Sequence, residues 1–462
     1  MAGIEHASSL LSETFTDRLA QHGVPGAAIA VLVGDEIFDL AAGVLSTSTK
    51  VEATTDSVFQ IGSITKVWTA TLIMQLVDEG LLDLDAPVRT VLPEFRLADD
   101  ASAGRITPRQ LLSHQAGFEG DIFTDTGKGD DALAKFVESI ANLTQLFEPG
   151  ELFSYNNVGY CVLGRIVEVL RGTTWRQALI ERVAVPLGLT HVAPSADEAI
   201  LHRAAVGHVG PGPDGVQIPA PIWALTRSNE PAGSMLSMRA RDLVGFAKLH
   251  LNGGLADDGT RVLSEASVHA MRQPEVRVPR LSLMGPAWGL GWSFATDQSP
   301  VVIGHDGGTI GQSAFLRVCP ELGVAVALLT NGGNAVGLFE DVVGSVFAEL
   351  TGVDLPRLPS PHANPPEVDL APLVGSYADA LVDLTVEQDP DDRIWVRREP
   401  KGVLAAMGDQ PSRDELAPYG PDSLIQLEAK QGVHTIYTFV GDRGDGRRRY
   451  IHYSRAVGRV DP

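Results

Sequence analysis

The sequence has little cysteine, little positive charge and no long apolar run. Its 462 residues include only two cysteines, Cys161 and Cys319, and each lies in an apolar stretch. A disulfide framework is therefore excluded, and we predict two buried thiols. Lysine and arginine number 36 against 58 aspartate and glutamate, a net charge of −22, which argues against a nucleic-acid partner and against an anionic membrane surface. No segment approaches the roughly 18 apolar residues of a membrane span.

The N-terminal segment lacks the basic stretch followed by an apolar stretch that marks a secretory signal. Instead, apolar residues recur near helical spacing at Leu10, Leu11, Phe15 and Leu19, and this pattern predicts an amphipathic helix. We therefore expect a cytoplasmic protein without a membrane contact. Nothing in the sequence indicates oligomerisation, and we expect a monomer.

Several common catalytic and cofactor motifs are also missing. The sequence contains no G-x-S-x-G elbow, no phosphate-binding G-x-x-x-x-G-K-[ST] and no convincing G-x-G-x-x-G. It has neither H-E-x-x-H nor C-x-x-C, and its 12 histidines are scattered. We expect no metal and no cofactor.

A proline-rich segment at 355–368 is the clearest boundary along the chain. Proline removes backbone donors and favours extended conformations, so this segment is typical of a semi-rigid linker. The sequence predicts a catalytic domain over 1–355, a linker over 356–366 and a small domain over 367–462.

The hydrophobic patterns predict an α+β fold. Strand-like runs occur near both ends of the body and helical periodicity lies between them, which favours one antiparallel sheet with a helical insertion. The predicted strands of the body are 27–33, 36–42, 301–305, 313–318 and 323–330, and its clearest helices are 65–79 and 158–170. The tail shows five further short strands, at 381–388, 393–398, 423–429, 434–440 and 448–454, a pattern that suits a small antiparallel β-barrel.

The candidate nucleophile is Ser63, which ends a strand-like run and begins a helix in Gly62-Ser63-Ile64-Thr65-Lys66. Lys66 is three residues further on, so the two side chains share a helix face. A lysine amine with a lowered pKa can take the serine proton, and the helix N-terminus suits a developing oxyanion. Alone, S-x-x-K is a weak signal, because Ser63 could equally be a helix cap with Lys66 on a solvated face.

Two later segments strengthen this interpretation. Tyr155 and Asn157 form a Y-x-N motif, in which a tyrosinate can act as a base and an amide can hold lysine and substrate. Further on comes His305-Asp306-Gly307-Gly308, whose glycines let a substrate backbone lie close. The alternatives are a core tyrosine before a capped helix and a structural histidine.

Taken together, these motifs resemble the serine β-lactamase and penicillin-binding-protein superfamily, nearest its class C and esterase branch. The resemblance implies an antiparallel sheet with a helical subdomain and the active site between them. It implies that Ser63 is acylated, that Lys66 and Tyr155 handle its proton and that Asn157 contacts substrate. The backbone N–H groups of Ser63 and Gly308 would form the oxyanion hole. The resemblance rests on the segments VFQIGSITKVWTATLIMQL, ITPRQLLSHQAGF, FEPGELFSYNNVGYCVLGRIVE, PAGSMLSMRARDLVGFAKL and IGHDGGTIGQSAFLRVCPELGVAVALLTN.

One departure from the superfamily concerns His305. β-Lactamases and DD-peptidases usually carry K-T-G where this chain has His305-Asp306-Gly307, and their lysine helps to bind a substrate carboxylate. A histidine is mostly neutral near pH 7, so these two activities are less favoured. H-x-G is found in esterases, D-aminopeptidases and penicillin-binding-protein-type thioesterases, which cyclise peptidyl thioesters delivered by a carrier protein.

The chain is most similar to these thioesterases, in its length, the position of its serine, H-x-G and a lipocalin-like tail after a proline-rich linker. They typically accept a D-residue at the acylating end. The sequence leaves open a cytoplasmic esterase or D-aminopeptidase, because water instead of an amine could release the acyl group. A non-catalytic binder is a further alternative.

Additional residues are expected to bind substrate. We expect Asp306, Gly307, Gly233 and Trp223 to line the pocket, although ordinary core and loop packing would explain them equally well. The strongest basic run is in the tail, at Arg447, Arg448 and Arg449, with Arg443, Arg455 and Arg459 nearby. Because His305 replaces a lysine, one tail arginine could bind a substrate carboxylate instead; a solvated strand and turn is the alternative.

Overall fold

The predicted N-terminal hairpin forms the edge of the main sheet in a computed structural model, which describes residues 3–210, 216–406 and 409–461. Its strands are Gly26–Val33 and Glu36–Gly43, joined at Gly34-Asp35. Strands from the end of the body pair with them, so the two ends of the body meet in one eight-stranded antiparallel sheet. Its order is Glu36–Gly43, Gly26–Val33, Val324–Thr330, Ser313–Cys319, Ile303–Gly308, Ser293–Phe294, Ala287–Trp288 and Val276–Arg277.

Both faces of this sheet are covered, which explains why its central strands are continuous apolar runs. One face, which carries Ala28, Ala30 and Leu32, packs on the helical region that contains helix Thr65–Asp78. The opposite face, which carries Ile29 and Val31, packs on the terminal helices of the body. Successive side chains of a strand point to opposite faces, so neighbouring residues belong to different hydrophobic cores.

The segment between the two sets of strands is mostly helical, as predicted. Helix Thr65–Asp78 is almost entirely buried. Helix Asn157–Arg171 begins at Asn156, whose Oδ1 accepts a 2.7 Å hydrogen bond from the Gly159 N–H. The α-helices of the body are Ile4–Gln21, Thr65–Asp78, Asp100–Ala103, Pro108–Leu112, Ala132–Ser139, Asn157–Arg171, Trp175–Leu179, Ala196–Ala199, Ala240–Leu251, Glu265–Met271, Ala335–Leu338 and Ser345–Thr351.

Shorter elements complete the body. The 3₁₀ turns are Gly62–Ile64, Val88–Thr90, Arg227–Ala232 and Pro320–Leu322, and the π-helical turns are Ile180–Ala184 and Phe339–Gly344. Two small sheets lie beside the helices, one formed by Phe59–Gln60, Ser237–Met238 and Val192–Ala193 and the other by His208–Val209 and Ile218–Pro219. The small sheet that contains Phe59–Gln60 fixes the chain just before Ser63.

The strand expected at 301–305 instead runs from Ile303 to Gly308. It begins late because the Val301 and Val302 N–H groups donate to side chains, Glu321 Oε1 and Thr296 Oγ1, rather than to the neighbouring strand. It ends late because the two glycines of the His-Asp-Gly-Gly segment stay in register with Ser313 and Ala314.

The tail forms a closed antiparallel barrel of eight strands, three more than its patterns predicted. The first strand pairs with the last, so no edge is left unpaired. The strands are Gly375–Ala378, Val382–Gln388, Ile394–Pro400, Ser412–Gly420, Ser423–Gln426, Ile436–Asp442, Arg448–His452 and Ala456–Arg459, and a short helix spans Gly402–Ala406.

The barrel packs on the body through hydrogen bonds and a small hydrophobic cluster. The Tyr155 N–H donates to the Ser454 carbonyl at 3.0 Å, and the Ala456 N–H donates to Ser154 Oγ at 3.1 Å. On another side, Ser282 Oγ donates to the His434 carbonyl at 2.7 Å. The turn 453–455 therefore lies directly on the segment that carries the Y-x-N motif.

None of the helices in the described ranges is both long and apolar enough to cross a membrane.

Candidate active site

Ser63 and Lys66 form the centre of the site. Ser63 lies in the 3₁₀ turn Gly62–Ile64, which continues directly into helix Thr65–Asp78. Lys66 Nζ lies 3.0 Å from Ser63 Oγ and donates a 2.7 Å hydrogen bond to the Ala232 carbonyl. The spacing of three residues thus produces the contact that the sequence predicted.

Lys66 is fully buried, and this burial sets its protonation. Removal from water disfavours the ammonium form and lowers the pKa of Lys66 from 10.5 to about 7. A large fraction of the amine is consequently neutral near pH 7 and can accept the Ser63 proton.

Three glycines bring separate segments against the Ser63 backbone. A Cβ on Gly62, whose φ is 51°, would lie 2.6 Å from the Gly308 nitrogen. A Cβ on Gly307 would collide with the Ile61 carbonyl, and one on Gly233 would collide with the Gly62 carbonyl. Only glycine permits this approach of the strand Ile303–Gly308 and of Gly233.

Tyr155 lies beside this centre in an aromatic cluster. Lys66 Nζ lies 4.9 Å from the centroid of the Tyr155 ring, so this ring borders the Ser63–Lys66 pair. The ring also contacts His114 and Trp288, with centroids at 4.3 Å and 5.7 Å. Burial raises the pKa of Tyr155, so it is a neutral phenol. The neutral amine of Lys66 is therefore better suited to accept a proton than the tyrosinate considered from the sequence, and the Tyr155 hydroxyl can pass a proton on.

His305 faces the same cluster but is neutral. Its ring centroid lies 5.2 Å from that of Trp288 and 6.3 Å from that of Tyr155. Nδ1 donates to the Asp306 carbonyl at 2.6 Å, and burial together with the Lys66 charge lowers the pKa of His305 to about 3. The ring cannot serve as the cation that lysine provides in K-T-G.

A chain of polar contacts connects Asn157 to the barrel. Asn157 Nδ2 donates to Asp121 Oδ1 at 2.6 Å. The same carboxylate forms an ion pair with Arg455 from the barrel, with Nε 2.6 Å from Oδ2. The Arg455 guanidinium carbon lies 4.8 Å from the centroid of the Tyr155 ring. A tail arginine thus reaches the site, although it is not one of the three in the basic run.

Comparison with known proteins agrees with this geometry. The protein-family model described as Beta-lactamase matches residues 11–341. The chain belongs to the beta-lactamase family.

Two named proteins illustrate what this family member is similar to. It is 47% identical over 368 residues to penicillin-binding protein 4 of Amycolatopsis lactamdurans, covering 79% of this chain and 96% of that protein. It is 30% identical over 366 residues to esterase EstB of Burkholderia gladioli, covering 70% and 89%. These similarities identify the chain as a serine acyl-transfer enzyme of the β-lactamase and penicillin-binding-protein type.

The match to solved structures extends through the barrel. The crystal structure of SurE superposes with a TM-score of 0.81 at 28% identity and covers 99% of this chain and 100% of SurE. A second structure, of SurE with D-Leu, gives a TM-score of 0.77 at 30% identity with the same coverage. Body and barrel therefore occur together in SurE.

Some residues expected at the site of this beta-lactamase family member lie elsewhere. Asp306 pairs with Arg317 on the face of the sheet opposite His305, because side chains alternate along the strand. The three arginines of the basic run are not brought to Ser63 by any contact of the described residues. Their ion-pair partners are Asp461 for Arg447, Asp422 for Arg448 and Glu151 for Arg449.

Trp223 is half-buried and holds the chain that leads to Ser63. Its indole Nε1 donates to the Ala205 carbonyl at 2.8 Å, and its carbonyl accepts from the Gln60 side chain. Trp288 is buried against Tyr155 and His305. The ring of Trp288 therefore fills the space beside Tyr155 and His305 and forms one wall of the site.

Two residues of the site had no clear signal in the sequence. His114 is buried, with its Nδ1 accepting a 3.0 Å hydrogen bond from the Asn156 N–H. It could have been noticed only within the segment ITPRQLLSHQAGF. Asp121 is a single acidic residue in a loop, and its partner Arg455 is 334 positions away, so no local pattern indicates it. Among the described residues, no cluster of histidine, cysteine, aspartate and glutamate could hold a metal ion.

Proposed function

We propose that this protein transfers a peptidyl group from a thioester on a carrier protein to Ser63 and releases it by head-to-tail macrolactamisation. The observation that carries the proposal has two parts. Lys66, with its lowered pKa, lies in contact with Ser63, and the barrel packs on the segment that carries Tyr155. The first supplies the acyl-enzyme, and the second limits the access of water to it.

The acylation step follows from the geometry. Neutral Lys66 Nζ, 3.0 Å from Ser63 Oγ, removes the hydroxyl proton while Oγ attacks the thioester carbonyl carbon. The N–H groups of Ser63 and Gly308 stabilise the developing oxyanion. The tetrahedral intermediate collapses, the C–S bond breaks, and the leaving thiolate takes a proton from Lys66 directly or through the Tyr155 hydroxyl.

The release step decides between cyclisation and hydrolysis. The N-terminal amine of the same peptide attacks the ester carbonyl and its proton passes to Lys66. The C–O bond then breaks, and Lys66 returns the proton to Ser63 Oγ. An amine held in place has a high effective molarity, so it outcompetes water when the site is covered. The hydrogen bonds from Tyr155 to Ser454 and from Ala456 to Ser154 keep the barrel over this segment.

A D-configured residue at the acylating end is part of the proposal. Its support is the structure of SurE with D-Leu, which matches this chain over body and barrel. His305 separately argues against a cell-wall peptide as substrate, because its neutral ring offers no charge for the free carboxylate of such a peptide.

The experiment supplies an N-acetylcysteamine thioester of a linear peptide that ends in D-Leu. We expect a product 18 Da lighter than the free acid, and Ser63→Ala abolishes it. The matched control is the epimer that ends in L-Leu, which should react more slowly. If the wild type converts the D-peptide only to the free acid, macrolactamisation is refuted. Comparison with the same peptide loaded on a carrier protein tests the partner.

Hydrolysis is the second candidate, because EstB is an esterase by name and shares 30% identity. A hydrolase of this kind would release acid from short esters and from amides of D-amino acids with no cyclic product. Hydrolysis of both the D- and the L-peptide thioester would favour this alternative.

A penicillin is a suitable probe for Ser63 whichever outcome holds. The relative at 47% identity is named as a penicillin-binding protein. A stoichiometric mass adduct on the wild type that is absent from Ser63→Ala would demonstrate acylation. No adduct from either a penicillin or a fluorophosphonate would instead favour a binder without catalysis.

A further inference from the structure

One ion pair crosses from the barrel to the catalytic centre, and neither the proposed acylation nor the release step uses it. Arg455 Nη2 lies 3.0 Å from Asp121 Oδ1, and Arg455 Nε lies 2.6 Å from Asp121 Oδ2. Both side chains are largely shielded from solvent, with 28% and 16% of their surfaces exposed.

This pair lies next to Tyr155 and Lys66. Lys66 Nζ and the Arg455 guanidinium carbon are 4.9 Å and 4.8 Å from the centroid of the same Tyr155 ring. The two cations are therefore at most about 10 Å apart, a distance at which partly buried charges still interact appreciably. Asp121 is connected to the same centre through its hydrogen bond from Asn157.

We propose that Arg455 and Asp121 are positioning residues that form a charge pair shared between barrel and body, and that this pair adjusts, in addition to burial, how strongly Lys66 holds its proton. Arg455 weakens proton binding by repulsion, and Asp121 strengthens it by attraction. The barrel would then regulate the base as well as cover the site.

Several other groups around Lys66 are neutral when it titrates. Burial raises the pKa of the Cys161 thiol to about 12 and lowers that of His305 to about 3. Burial also raises the pKa of Tyr155 and Tyr160 and lowers that of His114. The turn that ends at Ala232 also carries Arg227 and Glu230, which pair with each other and with Arg176. Near pH 7, the charges of Arg455 and Asp121 act on Lys66 with opposite signs.

The proposal predicts shifts of opposite sign for two single substitutions. Arg455→Gln removes the cation and leaves Asp121 unpaired, so the pKa of Lys66 rises. At about 10 Å and an effective dielectric constant of about 20, the shift is about one pH unit. Asp121→Asn leaves Arg455 unopposed, so the pKa of Lys66 falls. In the double variant, the pKa of Lys66 should be close to its value in the wild type.

The test is an NMR titration of the full chain with lysine labelled at ¹³Cε. The chain has only seven lysines, at 50, 66, 128, 135, 248, 401 and 430, and Lys66→Arg assigns the resonance. Because no substrate is needed, a failure to cyclise peptides would leave this result standing. Arg455→Lys, which keeps the charge, should titrate close to the wild type.

The matched control is Glu151→Gln. Glu151 forms the other ion pair between body and barrel described above, with Arg449 Nη1 at 2.8 Å. If loss of barrel contacts alone were the cause, the pKa of Lys66 would shift equally in Glu151→Gln and in Arg455→Gln. The proposal predicts a shift of this pKa only in Arg455→Gln.

The rate of acylation by benzylpenicillin provides a second measurement. For Arg455→Gln, the neutral fraction of Lys66 at pH 7 falls from about one half to about one tenth. Acylation at pH 7 should then slow about fivefold and recover by pH 9. Shifts of the same sign for Arg455→Gln and Asp121→Asn, or no shift in either, would overturn the proposal.

Discussion

Lys66→Met should stabilise the folded protein while it abolishes catalysis. In the unfolded chain, the Lys66 amine has an ordinary pKa of 10.5, whereas burial lowers it to about 7 in the native state. Between these two values the unfolded state binds more protons than the native state, so the free energy of unfolding rises with pH. Below pH 7 the wild type therefore carries its full penalty for a buried ammonium.

The size of this effect follows from the two pKa values. Relative to a neutral side chain, the titration of Lys66 lowers the free energy of unfolding by about 5 kcal/mol at pH 6 and about 2 kcal/mol at pH 9. Methionine avoids this penalty but loses the hydrogen bond to the Ala232 carbonyl, at a cost of about 2 kcal/mol. We expect Lys66→Met to gain about 3 kcal/mol at pH 6 and close to nothing at pH 9.

Urea unfolding followed by tryptophan fluorescence is a suitable assay, because five of the six tryptophans lie before the linker. The difference of about 3 kcal/mol between the two pH values is the decisive quantity, since the hydrogen-bond contribution cancels in it. The control is Lys248→Met. Lys248 forms ion pairs with Asp35 and Asp257, and its pKa is raised, so its effect on stability should be the same at both pH values. An effect of Lys66→Met that does not change with pH would refute the reasoning.

Three further predictions concern the base, the glycines and the cysteines. The rate of Ser63 acylation by benzylpenicillin should rise about tenfold per pH unit up to about pH 7 and then level off, because Lys66 must be neutral; a plateau that begins near pH 5 would contradict this assignment. Gly307→Ala should destabilise the body by about 3 kcal/mol and lower its melting temperature, because a Cβ would collide with the Ile61 carbonyl. Gly308→Ala, which has open space, should melt like the wild type, and equal losses in both variants would be inconsistent with the packing described. Neither Cys161 nor Cys319 should react with a thiol reagent at pH 8 until the protein unfolds, since both are buried; rapid modification of the native protein would show otherwise.

The sheet of the body was predictable because its strands carry strong local signals. The runs 27–33 and 323–330 are almost entirely apolar, and they became the paired strands Gly26–Val33 and Val324–Thr330. The barrel strand Ser412–Gly420 was missed because it is mostly polar on its outer face and contains Pro418. Its pairing depends on neighbours from elsewhere in the tail, and such contacts leave little trace in a local pattern.

The contacts of the active site also fall into those that local sequence spacing predicts and those that depend on distant segments. Ser63 and Lys66 are three residues apart, so helix geometry alone brings them into contact. Gly62 and Gly307 are far apart in sequence, and their proximity follows from the packing of the strand Ile303–Gly308 on the Ser63 turn. One tail arginine, Arg455, does lie at the site, paired with Asp121, whereas the run at 447–449 pointed to side chains that pair within the barrel or at the surface. That a tail arginine binds a substrate carboxylate stays a prediction. A run of basic residues in the sequence does not reveal whether its side chains are solvated, and a single arginine such as Arg455 gives no sign that it lies against the active site.

The location of Arg455 changes how the histidine at position 305 is interpreted, where related enzymes carry a lysine. With a lysine at this position, the strand itself would supply a second cation next to Lys66. Here the strand supplies a neutral histidine, and the second cation, Arg455, comes from the barrel and is balanced by Asp121. Because Arg455 reaches Tyr155 only while the turn 453–455 lies on the body, the protonation of Lys66 depends on the docked barrel.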